Sequence, residues 1–189
     1  MRVHFFVIMN DRYFIRGGLI MKQFFLKQRV FSLGNKYNVF DKEGNVCYYI
    51  EGKIFSIHNK MDIYQGEEII YHLERKLFRF MPEYTLYSTQ GEVLATIKKN
   101  FTFFGGKMTI DSTYGMMEIV GQVFQRDFQL FYQGKEVMNI HKQWLTWGDT
   151  YQITIMEDAK ESFYVALALM IDVIFHESSG NSSSSHHHR

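Results

Sequence analysis

A chain of 189 residues with a formal net charge of +1 and a single cysteine excludes several classes of protein. A charge near zero argues against general electrostatic binding of nucleic acid, and one thiol excludes an internal disulfide and a cysteine-based zinc site. The length fits one domain with a sizeable core. Because sparse cysteine usage suits a reducing compartment, we expect a cytoplasmic protein.

The first twenty residues indicate a leader outside the fold. Their apolar run, Phe5–Met9, is too short for a signal peptide and has no small-residue cleavage site. If the source is a bacterium, the Arg-Gly-Gly sequence shortly before Met21 would have purine-rich codons of the kind that form a ribosome-binding site, so we hypothesise a natural start at Met21. We predict a leader over 1–20, one domain over 21–177, and a disordered tail rich in serine and histidine over 178–189.

A repeated pattern of apolar and turn residues fills the middle of the chain. Copies of the pattern begin at Val30, Ile54, Leu77, Phe101, Val120 and Trp144. A regular period indicates repeated supersecondary units. Within a copy, alternation such as Tyr151-x-Ile153 has the period of a half-buried strand, and a glycine turn such as Gln65-Gly66 supplies the backbone conformation that tight hairpins require. Each copy therefore predicts two strands, about twelve in all.

The stretch Phe163–Phe175 predicts a helix that is apolar on every side except at Asp172. Asp158 and Glu161 have the spacing of a capping box at its start, and Gly180 is a stop signal. Such a helix must be surrounded by protein or by lipid. Because a bilayer requires about 18 or more apolar residues, we expect protein around it and not a transmembrane segment.

The predicted strands and helix together define a mainly β fold with one core helix, in the α+β class. The number of strands alone leaves a sandwich, a propeller and a barrel open. A barrel of about twelve strands is too wide for its own side chains to fill, and an apolar helix would fill it, while closure removes exposed strand edges. We therefore predict a closed antiparallel barrel of about twelve strands around the hydrophobic C-terminal helix.

Four stretches of the chain resemble the LURP-one-related family, and its bacterial members in particular. They are GKIFSIHNKMDI (52–63), ERKLFRFMPEYTLY (74–87), KKNFTFF (98–104) and KQWLTWGDTYQITI (142–155). The order of these strand motifs and the terminal apolar helix carry the resemblance. It implies a Tubby-like barrel, an architecture similar to that of the phospholipid scramblases, with no catalytic motif and no cofactor. The scramblase Cys-rich segment and Pro-rich N-terminus are absent, which argues against scramblase activity.

The polar residues of the predicted strands match no catalytic, phosphate-binding or metal-binding motif. The histidines His58, His72 and His141 lack the spacing of metal ligands, so we predict no metal site. Asp62 stands near a strand end, where we expect it to be solvated. Asp172 is the candidate for a buried charge. Because an unpaired buried carboxylate is costly, we expect it to pair with a strand side chain, unless it reaches a barrel mouth or becomes neutral.

A basic residue precedes the first apolar position in five of the six copies. These residues are Arg29, Lys53, Lys76, Lys99 and Lys142. Equivalent positions of a repeat fall at equivalent heights in a barrel, so we predict that the five cations gather at one rim and attract phosphate headgroups. The alternative is that they serve solubility and that neighbouring carboxylates cancel them.

Two functions therefore remain open from the sequence. The first is a non-enzymatic binding or scaffold module, peripheral to the membrane, that recognises an anionic phospholipid headgroup or a protein partner. The second is an enzyme with an unfamiliar site at a barrel mouth. A role in nucleic-acid binding is disfavoured by the net charge.

Overall fold

A computed structural model describes one helix and thirteen strands within residues 13–16, 19–28, 36–52, 60–76, 83–98, 107–122, 127–143, 150–156 and 160–180. The strands are β1 (Tyr13–Arg16), β2 (Leu19–Gln28), β3 (Lys36–Phe40), β4 (Val46–Gly52), β5 (Lys60–Gln65), β6 (Glu68–Lys76), β7 (Glu83–Ser88), β8 (Val93–Lys98), β9 (Lys107–Ser112), β10 (Met117–Gln122), β11 (Asp127–Tyr132), β12 (Lys135–Gln143) and β13 (Thr150–Ile155). The helix α1 spans Glu161–Gly180.

Twelve of the strands form a closed antiparallel ring. Strands β2 to β13 follow one another in sequence order, and the ring closes because β2 pairs with β13 along one edge and with β3 along the other. Strand β1 is additional: Lys22 of β2 pairs with Ile155 of β13 on one side and with Tyr13 of β1 on the other. The predicted closed barrel of about twelve strands is confirmed.

Backbone pairing begins inside the segment that the sequence indicated as a leader. Strand β1 and the first residues of β2, Leu19 and Ile20, belong to the sheet. At the other end of the chain, α1 continues to Gly180, beyond residue 177. Residues 1–12 and 181–189 lie outside the described residues, so the division of the chain into leader, domain and tail stays a prediction.

The interior of the ring is filled by α1. Alternate strand residues such as Phe24, Leu26 and Ile63 point inward and belong to one core cluster with the helix. Every helix residue from Phe163 to Ile174 is buried. Full burial of a Leu or Ile side chain contributes about 1.5–3 kcal/mol, which explains why a helix that is apolar on every side belongs inside the ring.

The two ends of the barrel are built differently. Five tight hairpins join β3 to β4, β5 to β6, β7 to β8, β9 to β10 and β11 to β12 at one end, which we call the hairpin end. In the first of them, Gly44 has a φ of 87°, and the Asp41 carboxylate accepts a hydrogen bond from the Asn45 backbone N–H at 2.8 Å. The connections at the opposite end, which we call the distal end, lie outside the described residues.

Candidate functional site

The start of α1 is fixed at the hairpin end by a cluster of polar side chains around Glu161. Lys22 Nζ lies 2.5 Å from Glu161 Oε2, and the Tyr48 hydroxyl donates to Oε1 at 2.7 Å. Burial raises the pKa of the Tyr48 hydroxyl above its ordinary value, and its hydrogen bond to Glu161 raises it further. The predicted capping box also involves Asp158, which lies outside the described residues; Glu161 itself is engaged by two barrel strands.

Further contacts surround this helix start. The hydroxyls of Ser162 and Tyr71 are 3.0 Å apart, and the ring of Phe163 packs edge-on against Tyr114 at a centroid distance of 5.0 Å. Lys160 Nζ lies 4.8 Å from the centroid of the Tyr114 ring. Because these groups contact one another and join helix to strands, we interpret the cluster as a structural lock on the hairpin end.

Charge is distributed unequally between the two ends. The distal positions are the two residues of each strand from β2 to β13 that lie nearest the distal end. The hairpin positions are the residues of the five turns together with the two strand residues on each side of each turn. The distal positions hold eight cations: Lys27, Lys36, Lys60, Arg75, Lys76, Lys98, Lys107 and Lys142. They hold three carboxylates: Glu51, Glu83 and Asp127.

The hairpin positions show the reverse balance. They hold eight carboxylates: Asp41, Glu43, Glu67, Glu68, Glu92, Asp111, Glu118 and Glu136. They hold two cations, Lys42 and Lys135. A net charge of +1 for the whole chain therefore conceals, among the described residues, distal strand ends that are positive and hairpins that are negative. A field of this kind acts on a charged partner over distances comparable with the Debye length, about 8 Å at physiological salt.

Two of the five predicted rim cations belong to the described residues. Lys76 ends β6 and Lys142 stands one residue before the end of β12, and both strands end at the distal end. Arg29, Lys53 and Lys99 lie outside the described residues. The predicted rim of five cations therefore stays a prediction.

Lys76 is engaged by neighbouring side chains. Its Nζ lies 3.3 Å from Glu83 Oε1 and 5.9 Å from the centroid of the Tyr87 ring. Its interactions with Tyr87 and with Glu83 raise the pKa of Lys76 above its ordinary value, so the side chain is charged at neutral pH. The carboxylate of Glu83 therefore offsets the positive charge of Lys76. Such pairing is what we expect if the rim cations serve solubility and do not bind phosphate.

Asp172 lies in the distal half of α1. It is 5% exposed, and an α-helix rises about 1.5 Å per residue, which sets it about 16 Å along the axis from Glu161. The burial agrees with the expectation for this residue, and its predicted pairing with a strand side chain stays a prediction.

Two aspartate–histidine pairs on the outer face of the barrel were not expected. Asp62 of β5 is 6% exposed and lies 2.6 Å from Nδ1 of His72 on β6; Asp127 of β11 contacts Nδ1 of His141 on β12. The expectation that Asp62 is solvated was wrong, because its carboxylate is covered and bonded to the histidine. The turn alone could not have revealed this pair, because the register shifts by one residue between Ile63 and Tyr64, and only that shift sets Asp62 opposite His72.

An aspartate that orients a histidine is a common part of general-base sites. Neither His72 nor His141 bonds to a third side chain in the part of the chain that the structure describes. In that same part, no group of three metal-binding side chains is arranged to hold an ion. We therefore interpret each pair as a cross-strand contact that stabilises its hairpin.

Within the described ranges, no helix is both long enough and apolar enough to cross a bilayer. This agrees with burial of α1 by the strands that surround it.

Comparison with known proteins gives a consistent picture. The family model for LURP-one-related proteins matches residues 22–172. The uncharacterized protein YxjI of Bacillus subtilis (strain 168) is 27% identical over 164 residues, which cover 86% of this chain and 99% of YxjI. An X-ray structure of an Arabidopsis thaliana protein superposes with a TM-score of 0.58 at 13% identity, covering 80% of this chain and 91% of that one. At that identity the likeness shows the shared fold.

Proposed function

The chain belongs to the LURP-one-related family, and we propose that it is a non-enzymatic binding module whose distal end recognises a surface of anionic phospholipid headgroups. The single observation that carries the proposal is the charge asymmetry of the barrel: eight cations against three carboxylates at the distal strand ends. The proposal fits a cytoplasmic protein that is peripheral to the membrane.

Local ion pairs reduce this positive charge only in part. Glu51 pairs with Lys36 at 2.5 Å, and Glu83 pairs with Lys76. In contrast, Lys27, Lys98 and Lys107 are exposed and form no ion pair with any residue that the structure describes. Each cation near an anionic membrane surface contributes about 1 kcal/mol, so three free lysines support weak binding that salt screens.

The negative hairpin end supports a defined orientation. Eight carboxylates at that end are repelled by an anionic surface, while the distal end is attracted. The opposite charges of the two ends therefore favour an approach in which the distal end faces the membrane. No observation among the described residues favours the enzyme alternative over this one.

The test is co-sedimentation with vesicles of phosphatidylcholine alone or with phosphatidylserine, at low and at high salt. Two variants report on the distal end: the triple substitution Lys27→Gln, Lys98→Gln and Lys107→Gln, and a quadruple substitution at the predicted rim, with Lys53, Lys76, Lys99 and Lys142 all changed to Gln. The matched control changes Lys42 and Lys135, the two cations of the hairpin end, to Gln.

We expect the wild type and the control to bind the anionic vesicles at low salt and to be released at high salt. We expect the triple variant to lose most of that binding, since exposed cations dominate the attraction. Loss in the quadruple variant as well would support the predicted rim. Absence of binding at low salt, or equal binding by all four proteins, would remove the lipid proposal and leave a protein as the better candidate for the distal end.

A further inference from the structure

A groove lies on the outer face of β10 and β11, close to the hairpin end. It encloses about 420 Å³ and is lined by Met116, Glu118, Val120, Phe131, Gln133 and Gly134. Met116 is 67% exposed, the largest value among the exposed large apolar side chains of the described residues. The volume is within the range of about 300–1,000 Å³ that small-molecule and side-chain binding sites occupy.

Strand register sets two carboxylates on either side of the apolar floor. Glu118 of β10 pairs across the sheet with Phe131 of β11, and Phe131 pairs on its other side with Glu136 of β12. The ring of Phe131 is therefore flanked by two glutamates in one cross-strand row. Residues directly opposite in neighbouring strands have Cβ atoms about 4.5–5.5 Å apart, so one bound side chain can contact the ring and a carboxylate together.

Neither carboxylate forms an ion pair with another described residue. Glu136 accepts a hydrogen bond from the amide of Asn139 at 3.2 Å. Two lysines are near in the register: Lys107 is opposite Val120, and Lys135 precedes Glu136. No ion pair joins either lysine to either glutamate in the ranges that the structure describes.

We propose that this groove is a docking site for a segment of a protein partner that carries basic and apolar side chains. The apolar floor of Met116, Val120 and Phe131 accepts the apolar side chains, and the flexible thioether of Met116 adapts to their shape. Glu118 and Glu136 pair with the basic ones. The other carboxylates of the hairpin end lie outside the groove and add only a weak, screened field that disfavours an anionic segment.

This interaction is additional to the proposed binding of anionic lipid. The groove lies mainly toward the negative end, whereas Lys27 and Lys98 lie at the distal end. Lys107, opposite Val120, stands at the distal limit of the groove. Anionic headgroups are disfavoured at the groove by Glu118 and Glu136. A barrel that rests on a membrane by its distal end would therefore leave the groove accessible to a second partner, as a scaffold requires.

The probe is a short synthetic peptide of alternating lysine and leucine, with two matched peptides in which glutamate replaces lysine or serine replaces leucine. Binding to the full chain is measured by fluorescence anisotropy at low and at high salt. The variants are the double substitution Glu118→Gln with Glu136→Gln, and Met116→Ser. The control changes Glu67 and Glu68, two carboxylates of the hairpin end outside the groove, to Gln. Unchanged thermal melts verify folding, and Phe131 is left intact because it is partly buried.

We expect the lysine–leucine peptide to bind the wild type and the control with affinities within about twofold of each other. Loss of two exposed charge pairs should weaken its binding to the double variant about tenfold, which corresponds to about 1.4 kcal/mol, and should reduce the salt dependence. Met116→Ser should weaken it about threefold at any salt concentration, through lost apolar contact.

Three outcomes would overturn the docking site: no binding of the lysine–leucine peptide, equal binding of the glutamate–leucine peptide, or equal affinities for the double variant and the control. Membrane binding is tested separately by co-sedimentation of the same groove variants. We expect it to be unchanged, so the lipid proposal and the docking site can fail independently.

Discussion

The two ends of the barrel differ in charge and in construction. At the hairpin end, short turns join the strands, the helix start is held by Lys22, Tyr48 and Tyr71, and carboxylates are in excess. At the distal end, cations are in excess and Asp172 lies in the nearer half of the helix. The comparison teaches that a net charge near zero excludes general attraction to polyanions but says nothing about the polarity of a closed barrel.

Removal of α1 should have the largest effect on stability, because the helix fills the ring along both halves of the barrel. A chain that ends at Glu157 lacks the helix that fills the ring and the carboxylate of Glu161 that fixes its start. We expect it to lack a cooperative thermal transition, since the lost burial exceeds the about 5–15 kcal/mol that stabilises a domain. Calorimetry provides the measurement. Removal of residues 181–189, beyond the helix, is the control; a cooperative melt of the shorter chain would show that the helix is dispensable.

Two glycines, one near each end of the barrel, are required for different reasons. A Cβ atom on Gly121, near the distal end of β10, would lie 2.2 Å from the carbonyl oxygen of Asp127 and 2.7 Å from Cδ1 of Phe128. A Cβ atom on Gly44, in a turn of the hairpin end, would meet nothing within 4 Å, but its φ of 87° disfavours an L side chain. The first glycine permits close backbone approach, and the second supplies an unusual dihedral angle.

We therefore expect Gly121→Ala to reduce the free energy of unfolding by about 3 kcal/mol, because backbone must move, and Gly44→Ala by about 1 kcal/mol, because only local strain is added. Urea denaturation measures both changes. Equal losses of unfolding free energy in the two variants would mean that the backbone near Asp127 adjusts at little cost. The close approach at Gly121 would then matter no more than the strained turn at Gly44.

The barrel and its helix were predictable because both depend on local signals that the chain repeats. Alternating apolar residues and glycine turns predicted two strands per copy, and the apolar stretch from Phe163 predicted the helix. Strand β1 was missed because residues 1–20 have no repeat to compare with, and its pairing with β2 is visible only when the register is known.

The charged features were harder to predict. Burial of Asp62 depends on which side chains cover the outer face of β5. The alternation of apolar and polar residues along one strand does not predict that cover. Likewise, Glu161 has the spacing of a capping residue, but Lys22 and Tyr48 come from strands that are 139 and 113 residues away in sequence. The charge asymmetry requires the direction of every strand, and it follows from the sequence once the hairpins are assigned.

The buried hydroxyl of Tyr48 makes the stability of the hairpin end depend on alkaline pH. In the native state Tyr48 is 2% exposed, and burial together with the hydrogen bond to Glu161 raises the pKa of its hydroxyl. In the unfolded chain a tyrosine has a pKa of about 10. Above that pH the unfolded state therefore binds fewer protons than the native state, so the stability contributed by this hydroxyl is fully present below about pH 10 and decreases as the pH rises.

For the wild type we expect the free energy of unfolding to decrease above about pH 10, with Tyr48 contributing up to about 1.4 kcal/mol per pH unit. Tyr48→Phe removes the ionising group, so the free energy of unfolding of this variant should decrease less steeply above pH 10, by that amount. At neutral pH the variant should be less stable by about 1 kcal/mol, because Glu161 loses a hydrogen-bond donor. Urea denaturation from pH 9 to about pH 11.5 measures both slopes. In Glu161→Gln the acceptor is neutral, so its slope should fall between the other two. Parallel slopes for wild type and Tyr48→Phe would mean that the hydroxyl reaches solvent and that the hairpin end is open around the helix start.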